Sequence, residues 1–467
     1  MTINGAQVDA AEHRTIFSPS TGEPVGQAPV ATLADLDSAV EAANAAQVEW
    51  SRASDETRRE ACQKIAGIIE TNMGELSRLL TLEQGKPLKG MGSEFEVGGC
   101  MAWAGAAASF ELPVKVLQDD ETARIEQHRT PVGVVGSITP WNWPLMIAIW
   151  HLAPAIRAGN AVVIKPSPYT PLSTLRMIAL IAEAVPPGVL NVVSGGDDIG
   201  AGISGHDGIA KVVFTGSTAT GKAIMKSAAG NLKRLTLELG GNDAGIVLPD
   251  ADPKAIAEGV FWGAFINNGQ TCAALKRLYV HDSLYDDMCA ALVEVAGQIP
   301  MGDGLDEGNL LGPVQNKAQF DKVSALVEDA KKAGGRILTG GEPKGGPGYF
   351  YPVTLIADVS DGVRIVDEEQ FGSVLPIIRY SDVEDALSRA NGLDFGLGAS
   401  VWSQDMDAAR SVAERMEAGT VYINKHGEVL PHVPFGGVKG SGVGVEFGVE
   451  GLEAYTDIKI LSFAKAG

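Results

Sequence analysis

Short apolar runs alternating with helix-compatible segments place the strongest limit on how this chain can fold. Gly133 to Thr139, Ala161 to Ile164, Val189 to Val193 and Lys211 to Thr215 each read as a buried strand followed by a turn and a helical pattern. Strands that are apolar along their whole length are those covered on both faces, and β-then-α alternation covers a parallel sheet in that way. A second set begins after Gly241, with Ala244 to Leu248 as a strand, Pro253 to Asn267 as a helix and Arg277 to His281 as another strand. The expected fold class is α/β, in two such units. A length of 467 residues agrees, because one hydrophobic core stops growing well short of it. Ahead of these units, apolar residues recur at helical spacing at Leu36, Val40 and Ala43, then at Cys62, Ile65, Ile68 and Ile69, which predicts two amphipathic helices. GGEPKGGPG, from Gly340 to Gly348, is rich in turn formers and reads as a surface loop.

Charge and cysteine usage narrow the function classes. The 37 basic and 58 acidic side chains leave a formal charge of −21, which repels phosphate backbones and anionic membrane surfaces. Neither a nucleic-acid nor a membrane partner is expected. Met1 to Phe17 lacks the basic-then-apolar pattern of a secretory signal, and no apolar stretch is long enough to span a bilayer, so a cytoplasmic location is expected. Cys62, Cys100, Cys272 and Cys289 form no CxxC pair and have no His-rich ligand spacing. No disulfide framework and no metal are therefore expected.

Four segments carry candidate chemistry. Asn268, Gly269, Gln270, Thr271 and Cys272 form a polar, glycine-bearing turn before a strand, where a thiol either approaches a substrate or packs at a loop end. Glu238 lies between Leu237 and Leu239 and is followed by Gly240 and Gly241. A carboxylate in such company is either capped or paired, or raised in pKa as a general base requires. In Thr139, Pro140, Trp141, Asn142, Trp143, Pro144 an amide sits among prolines and aromatics, a rigid setting for an oxyanion donor. Phe214, Thr215, Gly216 and Ser217 follow a buried strand and open a helix, where backbone can approach a nucleotide, although the full GxGxxG is missing.

Taken in order, TPWNWP, IKPSP, FTGS, ELGG, GQTC, EEQFG and PFGGVKGSG resemble the aldehyde dehydrogenase superfamily, in a match running nearly end to end. The resemblance implies a Rossmann-like dinucleotide-binding domain over 1–111 and 131–240. It implies an α/β catalytic domain over 241–440 and a small β oligomerisation extension over 112–130 and 441–467, giving a homodimer or homotetramer. It makes Cys272 the nucleophile, Asn142 and the Cys272 backbone N–H the oxyanion hole, and Glu238 the base for the hydrolytic water. NAD or NADP would be held by Thr139, Trp141, Lys165, Gly216, Ser217, Glu369 and Phe371, with Lys165 and Glu369 on the ribose hydroxyls. Along the aldehyde channel it places Trp143, Met146, Trp150 and Phe435, with Ile147, Trp262 and Val429, all apolar.

The chemistry suits these residue types. A thiolate is a strong nucleophile, its adduct can lose hydride to a nicotinamide, and the resulting thioester needs a positioned water and base. Three departures stand out. Pro168 occupies a position where NAD-restricted relatives often carry an acid, Ser373 replaces the usual proline after FG, and His151 stands where many relatives carry lysine. NAD is favoured only marginally over NADP. Trp150 falls where relatives acting on acid-bearing semialdehydes tend to carry arginine, so the expected substrate is an uncharged aromatic or medium-chain aliphatic aldehyde. The alternatives are a CoA-acylating enzyme, against which Glu238 weighs, and a non-catalytic protein of the same fold.

Overall fold

The computed structural model describes residues 1–465. It is α/β, built on two large, mostly parallel sheets. Five parallel strands centre the first sheet, in the spatial order Leu190–Val192, Ala161–Lys165, Val134–Ile138, Lys211–Thr215, Arg234–Glu238. Short antiparallel strands close its edges, Thr2–Ile3 and then Ala6–Gln7 on one side and Gly442–Val443 on the other. The strands expected from apolar runs are buried on both faces, as their composition requires.

Strand order reverses beside Val134–Ile138: the chain runs outward through two strands, then returns to lay Lys211–Thr215 on the opposite side. Such a reversal leaves a crevice at the carboxyl ends, where open α/β sheets bind ligands. The segments starting at Thr139 and Gly216 leave from those two ends.

The second sheet orders Thr354–Val359, Val374–Tyr380, Leu275–His281, Asp243–Val247, Gly398–Trp402 and Thr420–Ile423 in parallel, with Arg336–Thr339 antiparallel at one edge. The predicted helix after Asp243–Val247 spans Pro253–Phe265, with Asp252 accepting from Lys254 and Ala255 as its cap. It stops short of the expected Asn267 because Asn267, Asn268 and Gly269 all turn left-handed, at φ 49°, 58° and 75°. Asparagine and glycine are the residues that tolerate this region, and a Cβ on Gly269 would lie 2.1 Å from the Gly372 carbonyl oxygen.

The two early helices form as Leu33–Trp50 and Asp55–Thr71. A separate three-stranded antiparallel sheet contains Lys115–Asp119, Ala123–Pro131 and Thr456–Ala464. The segment 441–467 is thereby divided: Gly442–Val443 joins the first large sheet, Gly448–Glu453 is helical, and Thr456–Ala464 enters the small sheet. Residues 466–467 lie outside the described residues. Among the described residues no helix is long and apolar enough to cross a membrane, no acidic, His or Cys group is arranged to hold a metal, and the four cysteines are free.

Candidate active site

The site lies where the carboxyl edge of the first sheet meets the amino edge of the second. Glu238 is the last residue of Arg234–Glu238, and Asp243–Val247 begins five residues later. Cys272 precedes Leu275–His281 by three residues, at the end of the left-handed turn.

Three hydrogen bonds tie the Asn142 segment to the Cys272 turn. Asn142 Nδ2 donates to the Gln270 carbonyl at 3.0 Å, Asn267 Nδ2 to the Asn142 carbonyl at 2.8 Å, and Trp143 Nε1 to Thr271 Oγ1 at 3.0 Å. Behind them, Lys86 Nζ donates to the same Asn142 carbonyl at 2.8 Å and pairs with buried Glu96. Glu96 Oε1 accepts from the backbone of Leu145 and Met146, supplying the helix Pro144–Arg157 with the N-terminal carboxylate that no local side chain provides. Asn142 uses one amide hydrogen on Gln270, which leaves the second for the cavity that Asn142 and Cys272 both line.

Cys272 lines two cavities. The larger, about 740 Å³, is bounded by Trp143, Met146, Ile147, Trp150, Trp262, Val429 and Phe435, so all seven channel residues read from the sequence meet there. The helix Ser93–Ser109 adds Phe95 and Trp103, which sequence reasoning missed. Trp103 and Trp150 pack at 5.4 Å between ring centroids, and each meets Phe447 edge-on. Beside these seven apolar residues, Lys425, His426 and Glu428 also border it. Lys425 and Glu428 are exposed and paired with each other.

The smaller cavity, about 180 Å³, is lined by Trp141, Asn142, Gly216, Ser217, Glu369 and Phe371 together with Gln319 and Lys322. Two expected cofactor residues stand outside that lining. Thr139 is buried with its hydroxyl unpartnered among the described residues, and Lys165 is buried at the end of its strand. The donor set fits a dinucleotide. Ser217 caps the eleven-residue helix Thr218–Ala228, whose N-terminus suits phosphate, and glycine at 240 gives Glu369 access, since a Cβ there would fall 2.6 Å from Oε2. Phe371 holds a left-handed φ of 50° and meets Trp141 edge-on at 5.3 Å. Strain of that kind in a residue other than glycine collects at ligand sites.

Electrostatics separate the groups. Burial pushes the Cys272 thiol up to about 12; the Lys276 ammonium opposes that rise, while Glu238, Asp243 and Glu369 add to it. The residue is nonetheless half-exposed, because it opens on both cavities. Glu238 is neither a helix cap nor ion-paired: both its oxygens lack partners among the described residues, and burial followed by the charge of Glu446 raises it well above the carboxylate range. Burial lowers Lys165 to about 8, against the fields of Asp197 and Asp198 and with that of Arg14. His151 is buried, with Nδ1 2.8 Å from Ser137 Oγ and Nε2 3.1 Å from both Thr215 Oγ1 and Glu446 Oε1. Ser373 donates to the Tyr351 carbonyl at 2.9 Å, a bond that proline could not make.

A thiol held where an apolar channel meets a smaller cavity lined by Asn142, Ser217, Glu369 and Lys322, on two parallel α/β units, suits an oxidoreductase acting on aldehydes. Comparison with known proteins makes the class specific. The model of the Aldehyde dehydrogenase family matches residues 7–461. Phenylacetaldehyde dehydrogenase of Pseudomonas fluorescens is 38% identical over 483 residues, 99% of this chain and 95% of that protein. Retinaldehyde dehydrogenase 3 of Homo sapiens is 39% identical over 459 residues, 95% of this chain and 88% of that protein. The NAD+ complex of an aldehyde dehydrogenase from Bacillus cereus superposes with a TM-score of 0.97 at 36% identity, covering 99% of this chain and 96% of that one. The chain belongs to the aldehyde dehydrogenase family, and it oxidises an aldehyde to its acid.

Proposed function

We propose that this oxidation proceeds through a thioester on Cys272, hydrolysed with Glu238 as base, and that the substrate is an uncharged aromatic or medium-chain aliphatic aldehyde. The observation that carries the reading is the position of Cys272, half-exposed where the two cavities meet. An aldehyde in the apolar channel presents its carbonyl to the thiol from one side. The Cys272 thiol releases its proton to solvent as its sulfur adds to that carbon, and the carbonyl oxygen takes up the negative charge between Asn142 Nδ2 and the Cys272 N–H. The adduct becomes a thioester when its carbon loses the C–H hydrogen as hydride and the carbonyl re-forms, and a nicotinamide cofactor, when bound, would supply the hydride acceptor. Trp141, Gly216, Ser217, Glu369 and Phe371 would hold it, with Thr139 and Lys165 behind them. Glu238 then takes a proton from water as that water attacks the thioester, the C–S bond breaks, and the proton passes from Glu238 to the departing sulfur, so the acid leaves with the thiol restored.

NAD is favoured over NADP by a small margin only. Pro168 offers no carboxylate against a 2′-phosphate, but Asp197 and Asp198, whose fields reach Lys165, oppose one, and Arg14 offsets them in part. We read the first large sheet with its helices as the dinucleotide-binding domain and the second as the catalytic domain. The small sheet is the oligomerisation extension of a homodimer or homotetramer. Val116, Leu117, Ile458, Ile460 and Phe463 leave that sheet with exposed apolar side chains, which supports the assignment.

Glu238→Gln tests the order of steps. Aldehyde and cofactor should produce a burst of about one equivalent of reduced cofactor per site, then slow turnover, with the acyl mass retained on the Cys272 peptide. Loss of the burst would move Glu238 to an earlier step, and an acyl group on another residue would remove Cys272 from its role.

A further inference from the structure

Lys276 is a buried ammonium with no part in the steps above. Its Nζ donates to the Thr271 carbonyl at 2.9 Å and to the Cys272 carbonyl at 2.5 Å, and lies 3.2 Å from Glu369 Oε1. Glu369 Oε1 also accepts from the Gly241 backbone at 3.1 Å. The side chain is 3% exposed, so water scarcely screens it. A lysine buried so completely needs a reason, because desolvating an ammonium is costly unless its partners offset the loss.

We propose that Lys276 is a positioning residue that prepares the nucleophile turn, polarising the Thr271–Cys272 peptide and holding positive charge behind the Cys272 thiol. The Thr271 carbonyl and the Cys272 N–H belong to one amide. A charge-assisted bond to the carbonyl end draws electron density from the nitrogen and makes its N–H a stronger donor to the forming oxyanion. The bond to the Cys272 carbonyl fixes the residue on its other side, so both peptides flanking the nucleophile are held by one cation. The same cation faces the thiol together with Glu238, Asp243 and Glu369, and among these four Lys276 alone favours the thiolate. Attachment to Glu369, proposed above for the cofactor ribose, joins the nucleophile turn to the cofactor cavity.

This inference rests on Cys272 as nucleophile, and the experiment separates the two claims. Iodoacetamide alkylation of the cofactor-free enzyme is followed against pH, with the labelled peptide identified by mass spectrometry. In Lys276→Met, and in Lys276→Gln should the Met variant fold poorly, the rising limb of Cys272 alkylation should move up by about one pH unit, a tenfold slowing at fixed pH below the limb. Lys276→Gln retains a donor but no charge, so it should show the same displacement. The burst of reduced cofactor should slow at least about tenfold at saturating aldehyde, with aldehyde KM nearly unchanged, as expected for an interaction made in the transition state. In a cycle with Asn142→Ala, the two losses should not add, since both act on one oxyanion. Alkylation limbs that coincide with wild type in both neutral variants would overturn the proposal. Labelling of a cysteine other than Cys272 would instead overturn the nucleophile assignment beneath it.

Discussion

Lengthening the aldehyde one methylene at a time tests the channel directly. The cavity of about 740 Å³ is walled by Trp103, Trp143, Trp150 and Trp262, with Phe95 and Phe435. Each methylene moved from water into such a lining is worth about 0.8 kcal/mol, roughly fourfold in kcat/KM. From butanal to octanal four methylenes then give about 3 kcal/mol, a gain on the order of 200-fold. Succinic semialdehyde lies on the other side of the comparison, since burying its carboxylate without a partner costs several kcal/mol. The lysine in the lining, Lys425, is exposed and already paired with Glu428. The assay is the initial rate of reduced-cofactor absorbance at saturating cofactor, for the alkanal series, benzaldehyde and succinic semialdehyde in one buffer. A flat series, or a tenfold preference for the semialdehyde, would refute the reasoning. The second outcome would implicate Lys425 released from Glu428, and Lys425→Met would then abolish the preference.

Three further outcomes are expected. Cys272→Ala should lose more than about a thousandfold in turnover while cofactor affinity, measured by titration, stays within a few-fold of wild type. Glu238, raised well above the carboxylate range, is protonated at low pH and becomes a base only as pH rises, so the deacylation rate should climb with pH. Glu446→Gln removes the like charge beside it and should move that limb to lower pH; a limb displaced upward would exclude the electrostatic account. NADP should turn over measurably, and NAD preference above about 10³ in kcat/KM, roughly 4 kcal/mol, would point to a phosphate-excluding residue beyond Asp197 and Asp198.

Parallel strands were legible because burial on both faces forces a continuous apolar run, as in Ala161–Lys165 and Lys211–Thr215. The end of the helix Pro253–Phe265 was misplaced by two residues, because Asn267 and Asn268 fit a helical pattern until the left-handed turn they build with Gly269 is seen. Trp103 was missed for a different reason. Phe95, Gly99 and Trp103 are four residues apart and share one helix face, and Gly99 admits Met146, whose Cε would lie 2.9 Å from a Cβ at that position. That spacing reads equally as core packing, and only the fold sets this face against Trp150. Lys276 carried no signal, since a lysine four residues beyond a cysteine is ordinarily solvated, and its burial follows from the turn it holds.

The elements that carry the proposed chemistry differ in kind from those that shape the channel. Glu238 ends a strand, Cys272 enters one, and Asn142 is locked to the Cys272 turn through Gln270 and Asn267. Groups fixed at strand ends and by buried hydrogen bonds keep their spacing when other surfaces change. The channel is walled instead by one face each of Ser93–Ser109, Pro144–Arg157 and Pro253–Phe265, and by the loop from Asn424 to Phe435. Side chains on those faces can be exchanged, at the cost of local repacking, without breaking the hydrogen bonds that hold the thiol; Trp143, which bonds Thr271, is the wall residue that cannot. A family built this way can keep one reaction and change its aldehyde, and two relatives named for aldehydes as different as phenylacetaldehyde and retinaldehyde fit that division. The substrate of this chain is therefore to be sought in its tryptophan-rich wall, where Trp103, Trp150 and Phe447 form one packed cluster, rather than in its catalytic groups.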